Sequence, residues 1–255
     1  HREIEKIVEH IRNRNTTPSQ QREQLDVLRS LNKNHSSSRG FDQQLESRIQ
    51  SFELGFRMQT EASDAFDTDN ESEATRERYG TGNFARACLI GRRLAERGVR
   101  FVQIYTGEGQ PWDLHDDLEA GMRRLCGEAD RGISALLQDL KDRGMLEETL
   151  VIWGGEFGRT TYSQGALTQN DYGRDHHPRC FTIFIAGGGV KPGMTWGETD
   201  EFCYNIVRDP VHVHDLHATM QHLLGVDHER QTFKFQGRYY RLTDVSGHVI
   251  KAVIA

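Results

Sequence analysis

No apolar run in this sequence approaches the roughly 20 residues that a membrane-spanning helix needs, so no transmembrane segment is expected. Cysteine is scarce. The four present (Cys88, Cys126, Cys180 and Cys203) are widely spaced and include no Cys-x-x-Cys pair. That spacing suits neither a zinc knuckle nor a disulfide framework, and the thiols read as buried free cysteines. Positive charge is also in deficit, with 32 Lys plus Arg against 38 Asp plus Glu and a net charge of -6. No basic stretch alternates with aromatics, and a phosphate backbone demands a concentrated positive surface. Nucleic acid is therefore excluded as a partner class. The first residue is His1, with neither an initiator Met nor a signal peptide.

At 255 residues there is enough chain for one large domain or two small ones with a real core. Residues 1–82 carry no convincing strand and read as a helical arm or insertion. Ile4, Ile7, Val8 and Ile11 recur at helical spacing, which predicts a short amphipathic helix over 2–14. Thr17-Pro18-Ser19-Gln20 has the form of a capping box with proline at the first helical position, opening a helix to about Asn32. Leu25, Leu28 and Leu31 mark its apolar face. His35-Ser36-Ser37-Ser38-Arg39-Gly40 reads as a loop, a third helix is expected over 41–62, and 64–70 as a turn-rich acidic connection.

From residue 83 the grammar becomes that of an α/β core extending to 255. A helix is predicted over 84–96, then a strand at Val99-Arg100-Phe101-Val102-Gln103-Ile104-Tyr105. A long helix follows over 116–143, with Leu118, Met122, Leu125, Ile133, Leu136, Leu137 and Leu140 on one face. Further strands are expected at Leu150-Val151-Ile152-Trp153 and Phe181-Thr182-Ile183-Phe184-Ile185-Ala186. A helix over 214–224 is closed by Gly225, and short strand-like pieces lie near 233–235 and 248–254. Strands separated by a long crossover helix imply parallel pairing. Only three strands look buried, and so small a sheet would expose apolar edges. A preceding stretch carrying more strands is therefore expected.

The stretch that organises the chemistry is Thr149-Leu150-Val151-Ile152-Trp153-Gly154-Gly155-Glu156, a strand-length apolar run ended by glycines and a carboxylate. Ligands bind at the carboxyl edge of such strands. Trp112-Asp113-Leu114-His115 and Gly173-Arg174-Asp175-His176-His177-Pro178 repeat the pairing of carboxylate with imidazole. Mixed oxygen and nitrogen donors suit Zn²⁺, Mn²⁺ or Fe better than Ca²⁺. Plainer roles compete. Asp113 has the form of a helix cap, Glu156 of a salt-bridge partner for Arg159 or Arg174, and Asp215 of a first-turn acid. His177 reads as a bystander, and His228 and His248 as surface residues. Of His212, His214, His217 and His222, His214 is best placed to join a site.

The segment Leu150-Val151-Ile152-Trp153-Gly154-Gly155-Glu156-Phe157-Gly158 resembles the strand ending in carboxylate-His-Gly of the alkaline phosphatase superfamily, which includes sulfatases and phosphomutases. Asp215-Leu216-His217-Ala218-Thr219-Met220-Gln221-His222-Leu223-Leu224-Gly225 is similar to the C-terminal helix of sulfatases. Five motifs together resemble the bacterial domain of unknown function 1501 family, sulfatase-like within that superfamily. These are Trp112-Asp113, Gly154-Gly155-Glu156-Phe157-Gly158-Arg159-Thr160, Gly173-Arg174-Asp175-His176, Ala186-Gly187-Gly188-Gly189-Val190-Lys191 and Val211-His212-Val213-His214-Asp215-Leu216-His217-Ala218-Thr219. The likeness runs from about residue 41 to the end.

What the resemblance implies is the C-terminal portion of an alkaline-phosphatase-like α/β/α sandwich with a mainly parallel sheet, preceded by a helical segment. It also implies a metal-dependent hydrolase of sulfate or phosphate esters, acting on a small or polymeric anionic ester and exported from the cell. The metal ligands would come from Asp113, His115, Glu156, Asp175, His176 and His214, and Arg159 and Arg174 would clamp the anion. Phe157 stands where the superfamily has a paired His, so one divalent metal site, Zn or Mn, is expected rather than two. Asp113 and His115 are two residues apart where the pattern has four. The nucleophile belongs to an N-terminal strand that this sequence lacks, and no Cys-x-Pro-x-Arg sulfatase signature occurs. The expected partner is that missing N-terminal portion. The alternative is a non-catalytic binding or scaffold relative that keeps the fold.

Overall fold

The computed structural model describes Asn13 and residues 15–255, the side chains of 60–63 excepted. The helix expected over 2–14 lies outside the described residues, apart from Asn13. The chain divides into two compact units between Tyr105 and Thr106.

In the first unit, helix α1 (Pro18–Arg39) begins as its sequence dictates. The Thr17 hydroxyl accepts from the Gln20 amide and the Gln20 side chain accepts from the Thr17 amide, with Pro18 in the first turn. The helix does not stop at Asn32. It runs through the serine cluster to Gly40 (φ 89°), with the Ser37 and Ser38 hydroxyls bonded back to the Lys33 and His35 carbonyls. No residue of α1 is buried, and Val27, Leu28 and Leu31 face outward. Helix α2 (Gln43–Phe66), capped by Asp42, is joined to α1 by Glu53, which accepts from Arg22 at 2.9 Å and from Arg29 at 2.8 Å.

A 3₁₀ turn (Thr68–Asn70), short α3 (Glu73–Tyr79) and α4 (Asn83–Glu96) follow in this unit. Ala85, Cys88, Leu89 and Arg92 recur at helical spacing on the buried face of α4. The change of character at residue 83 thus falls within the first unit, since α4 packs on α2 and α3. Arg93 ties α4 to the end of α2 by donating to the Asp64 and Ala65 carbonyls, at 2.7 and 3.0 Å. Residues 99–105 show the alternating burial of a strand, with Val102 and Ile104 inward and Phe101 and Tyr105 exposed. They carry no strand assignment and pack against α4 at Gly91.

The second unit opens with a loop, residues 106–117, and α5 (Leu118–Asp142), which ends at Gly144 as expected. Its buried face is built largely from small residues, Gly121, Ala129, Gly132 and Ala135 around Leu125 and Leu140, while Met122 is exposed. Strand β1 (Val151–Trp153) is followed by β2 (Gly158–Gln164), β3 (Gly173–His177) and β4 (Phe184–Ala186). After β5 (Glu198–Thr199) and β6 (Ile206–Arg208) comes α6 (Val213–Leu223), then β7 (Thr232–Phe235) and β8 (Arg238–Arg241). His212 and Asp215 cap α6 reciprocally, and a second Asp215 oxygen accepts from the His248 amide at 2.7 Å. The strand-like piece at 248–254 forms a single bridge, Val190 to Ile254, and a 3₁₀ turn.

The architecture is mixed helix and strand. The parallel sheet expected from the sequence is not formed among the described residues. Four two-stranded sheets occur, β1–β4, β2–β3, β5–β6 and β7–β8, all antiparallel. The physical reason lies in the connection between β1 and β4. It contains the β2–β3 hairpin rather than a crossover helix, and only a crossover returns the chain parallel. No helix among the described residues is long and apolar enough to cross a membrane. Of the four free thiols, Cys88 and Cys180 are buried, Cys126 half-buried and Cys203 exposed.

The heart of the first unit is ionic. Arg92, 1% exposed, pairs with Glu71 at 2.8 Å and with Glu96 at 2.5 Å, and Arg93 also bonds Glu71. Burial alone would raise the Glu71 pKa, but hydrogen bonds from Arg92 and Arg93 outweigh it and hold the carboxyl below the ordinary range. A depressed carboxyl stabilises the fold above its unfolded value of about 4.3, and that contribution is lost as pH falls through the lower folded value. Glu71→Gln should lower the stability measured by urea unfolding at neutral pH by about 3 kcal/mol. It should also lose less stability than the parent on acidification below about pH 5.

Candidate metal centre

Asp113 and His115 lie on the loop before α5, and several contacts hold that loop in place. The Trp112 indole donates to Thr106 Oγ1 at 2.6 Å and stands edge-on to Trp153, centroids 6.3 Å apart. Leu114 seats on α5 at Gly121, where a Cβ would come within 2.7 Å of its methyl carbon. The Arg174 amide donates to the Leu114 carbonyl at 3.1 Å, and the Leu118 amide to the Tyr172 carbonyl at 3.0 Å. Between these two bonds β3 runs backbone to backbone with the loop. Gly173 is the point of closest approach, since a Cβ built there would overlap the His115 carbonyl.

The hairpin supplies the remaining groups. In β2–β3, Arg159 pairs with His176 and Gln164 with Gly173, with extra β2 residues bulging between Arg159 and Ser163. Directly opposed residues project to the same face, so Arg159 and His176 both reach Asp113. One carboxylate oxygen, Asp113 Oδ1, is the shared partner. It lies 2.9 Å from His115 Nε2 and 2.9 Å from His176 Nε2, and it accepts from Arg159 Nη1. The second His115 nitrogen, Nδ1, contacts Gln164 Oε1. Phe157 packs on the His176 ring (centroids 4.6 Å apart), and Arg159 sits 5.5 Å over Phe157. The hydrogen bond from His176, with that from Arg159, pushes the Asp113 carboxyl down to about 2, so it is an anion at any physiological pH.

Asp113, His115 and His176 each present one ligand atom, and these lie within 4.8 Å of one another. Donors at zinc-bond length and tetrahedral angles sit about 3.3 Å apart, so small side-chain movements would close the set on one ion. One carboxylate with two imidazoles leaves coordination positions open, as a catalytic rather than a structural site requires. These donors could hold a divalent cation.

The other expected ligands lie elsewhere. Glu156 follows Gly154-Gly155 as the sequence suggests, but its side chain is 66% exposed and turned toward Arg159 Nη2 at 3.7 Å. Asp175 accepts from the amide of His176 at 2.7 Å instead of facing the centre. His214 is on α6, where its ring lies 4.8 Å from that of His212. Arg174 donates to the Thr160 carbonyl at 2.6 Å and lines a cleft of about 360 Å³ with Thr161, Ser163, Thr168, Gln169 and Tyr172. The two-residue spacing of Asp113 and His115 does not prevent both from reaching the centre, because the loop is tightly folded there. His228, expected at the surface, is buried against Thr243, while His248 is exposed, and His177 is buried and stacked on Tyr204. Gln164 belongs to no motif, and no signal in the sequence singles it out.

A family described as protein of unknown function (DUF1501) matches residues 2–254, and the chain belongs to that family. No curated protein and no solved structure matches the chain.

Because Gly173 allows β3 to touch His115, Gly173→Ala should push the loop away and weaken Zn²⁺ binding at least about tenfold in calorimetric titration. Helix content by circular dichroism should be retained. Unchanged affinity would remove His115 from the centre.

Proposed function

We propose that this DUF1501 protein is a metal-dependent hydrolase of sulfate or phosphate esters whose cation is held by Asp113, His115 and His176. The observation carrying this reading is the convergence of a carboxylate and two imidazoles from segments some 60 residues apart on one point, beside a guanidinium. A bound divalent ion there would supply Lewis-acid polarisation of an ester oxygen and activation of the attacking nucleophile. Arg159 is the group best placed to orient the anion. Its planar fork matches two oxygens of a tetrahedral oxyanion, and Asp113 and Phe157 hold it beside the centre. Arg174, in the neighbouring cleft, would hold a more distant part of the substrate.

The finer fold, a C-terminal portion of an alkaline-phosphatase-like α/β/α sandwich, is part of the same proposal. Its support is the order of the motifs and the exposed apolar residues of the β1–β4 pair, Ile152, Trp153 and Phe184. Such a pair has free edges that further strands would cover.

A second reading, a non-catalytic relative, is favoured by one observation. Arg159 already neutralises Asp113, so the cluster is charge-balanced without a metal. Metal analysis of the full-length protein and of its Asp113→Asn and His176→Ala variants, combined with turnover of aryl sulfates and aryl phosphates, separates the two. The hydrolase reading expects about one divalent ion per chain, and a loss of more than about 100-fold in metal affinity and turnover in each variant. Metal without turnover supports the non-catalytic relative, and a parent protein that binds no divalent ion rejects the centre itself.

A further inference from the structure

We infer that Gln164 is a positioning residue that keeps the His115 proton on Nδ1 and so presents the Nε2 lone pair to the cation. The inference rests on the metal-centre reading. Its starting point is an imidazole between two oxygens. His115 Nδ1 contacts Gln164 Oε1, and Nε2 lies 2.9 Å from Asp113 Oδ1. Both neighbours accept hydrogen bonds, yet a neutral imidazole carries a single N–H.

The proton's place is decided by what each oxygen already has. Asp113 Oδ1 accepts from Arg159 Nη1 and lies 2.9 Å from His176 Nε2, whose lone pair the proposed centre also requires. An N–H from His115 Nε2 would compete with Arg159 for that oxygen and leave no lone pair on Nε2 for a cation. Among the described residues Gln164 Oε1 has no other hydrogen-bond partner, so it is open to accept from Nδ1–H. The Nε2 lone pair then faces a carboxylate oxygen at hydrogen-bond distance. Two lone pairs at that separation repel unless a positive charge lies between them, and a divalent ion is such a charge. Metal-bound histidines generally donate their other N–H to an oxygen that fixes ring and tautomer, and Gln164 has that relation to His115.

The fold explains why a glutamine at this position can act so far from its neighbours in sequence. Gln164 is the last residue of β2 and lies opposite Gly173, the residue whose backbone touches His115. With no side chain at 173, the amide reaches across to the ring. Were the amide turned over, its NH₂ would donate to Nδ1 and force the proton onto Nε2. That would leave no lone pair for a cation.

The test compares the parent with Gln164→Leu and Gln164→Glu. Two-bond ¹H–¹⁵N imidazole spectra, with the His115 signals identified through His115→Asn, are recorded without metal at about pH 8, above the ordinary imidazole range. Zn²⁺ affinity is then measured by titration. The expected parent spectrum shows His115 protonated on Nδ1, and Gln164→Leu should shift it toward the Nε2–H form. Gln164→Leu should also bind Zn²⁺ about 10- to 100-fold more weakly, with Gln164→Glu, which retains an acceptor, restoring most of the loss. An Nε2–H parent, or a leucine variant with unchanged tautomer and affinity, would overturn the inference. A parent that binds no Zn²⁺ rejects the metal centre, and the metal-free spectrum still decides whether Gln164 sets the tautomer.

Discussion

The approach of Gly173 to the His115 backbone is the constraint on which the second unit's chemistry depends. It allows β3 to run against the loop before α5, with backbone hydrogen bonds on either side of the contact. That pairing sets His115 on one strand-like segment and His176 on the next. Arg159 then follows from the antiparallel register, and Gln164 from standing opposite the glycine. A side chain at 173 would overlap the His115 backbone, so the two segments would have to move apart and draw His115 away from Asp113 and His176.

Electrostatics then determines what the centre prefers. Asp113 is a permanent anion with one guanidinium and two imidazoles about it. Solvent screens a partly exposed Arg–Asp pair of this kind. A divalent cation held as proposed by Asp113, His115 and His176 would compete with the guanidinium for that carboxylate. Glu156, 3.7 Å from Arg159 Nη2, is placed to receive a guanidinium displaced from Asp113. The same arrangement that neutralises the metal-free cluster would free a cationic fork beside a loaded one.

The first unit is held by a different device. Its central helix buries two arginines together with Glu71, and Arg93 satisfies the carbonyls at the end of α2. Buried charge of this kind costs desolvation and specifies geometry, since each guanidinium must meet its oxygens. By contrast, α1 contributes no buried side chain and is linked to α2 through Glu53 at the surface.

Local features were legible from the residues because they depend on neighbours a few positions away. The Thr17–Gln20 capping box, the stop of α5 at Gly144, the helix opening at His212 and Asp215, and the alternating burial of 99–105 all follow from short-range sterics and hydrogen bonding. The residue types of the site, carboxylate and imidazole near glycine-rich turns, were legible for the same reason. Partner choice was not. Strand-like alternation does not specify what pairs with a strand, so the apolar run at β1 was expected to be parallel and pairs antiparallel with β4. Nor does local sequence say which way Glu156 or Asp175 turns once Arg159 and the His176 amide compete for their carboxylates. Only the tertiary structure selects Asp113, His115 and His176 from the wider set and adds Gln164, because that selection is made by a backbone contact between Gly173 and His115, 58 residues apart in the chain.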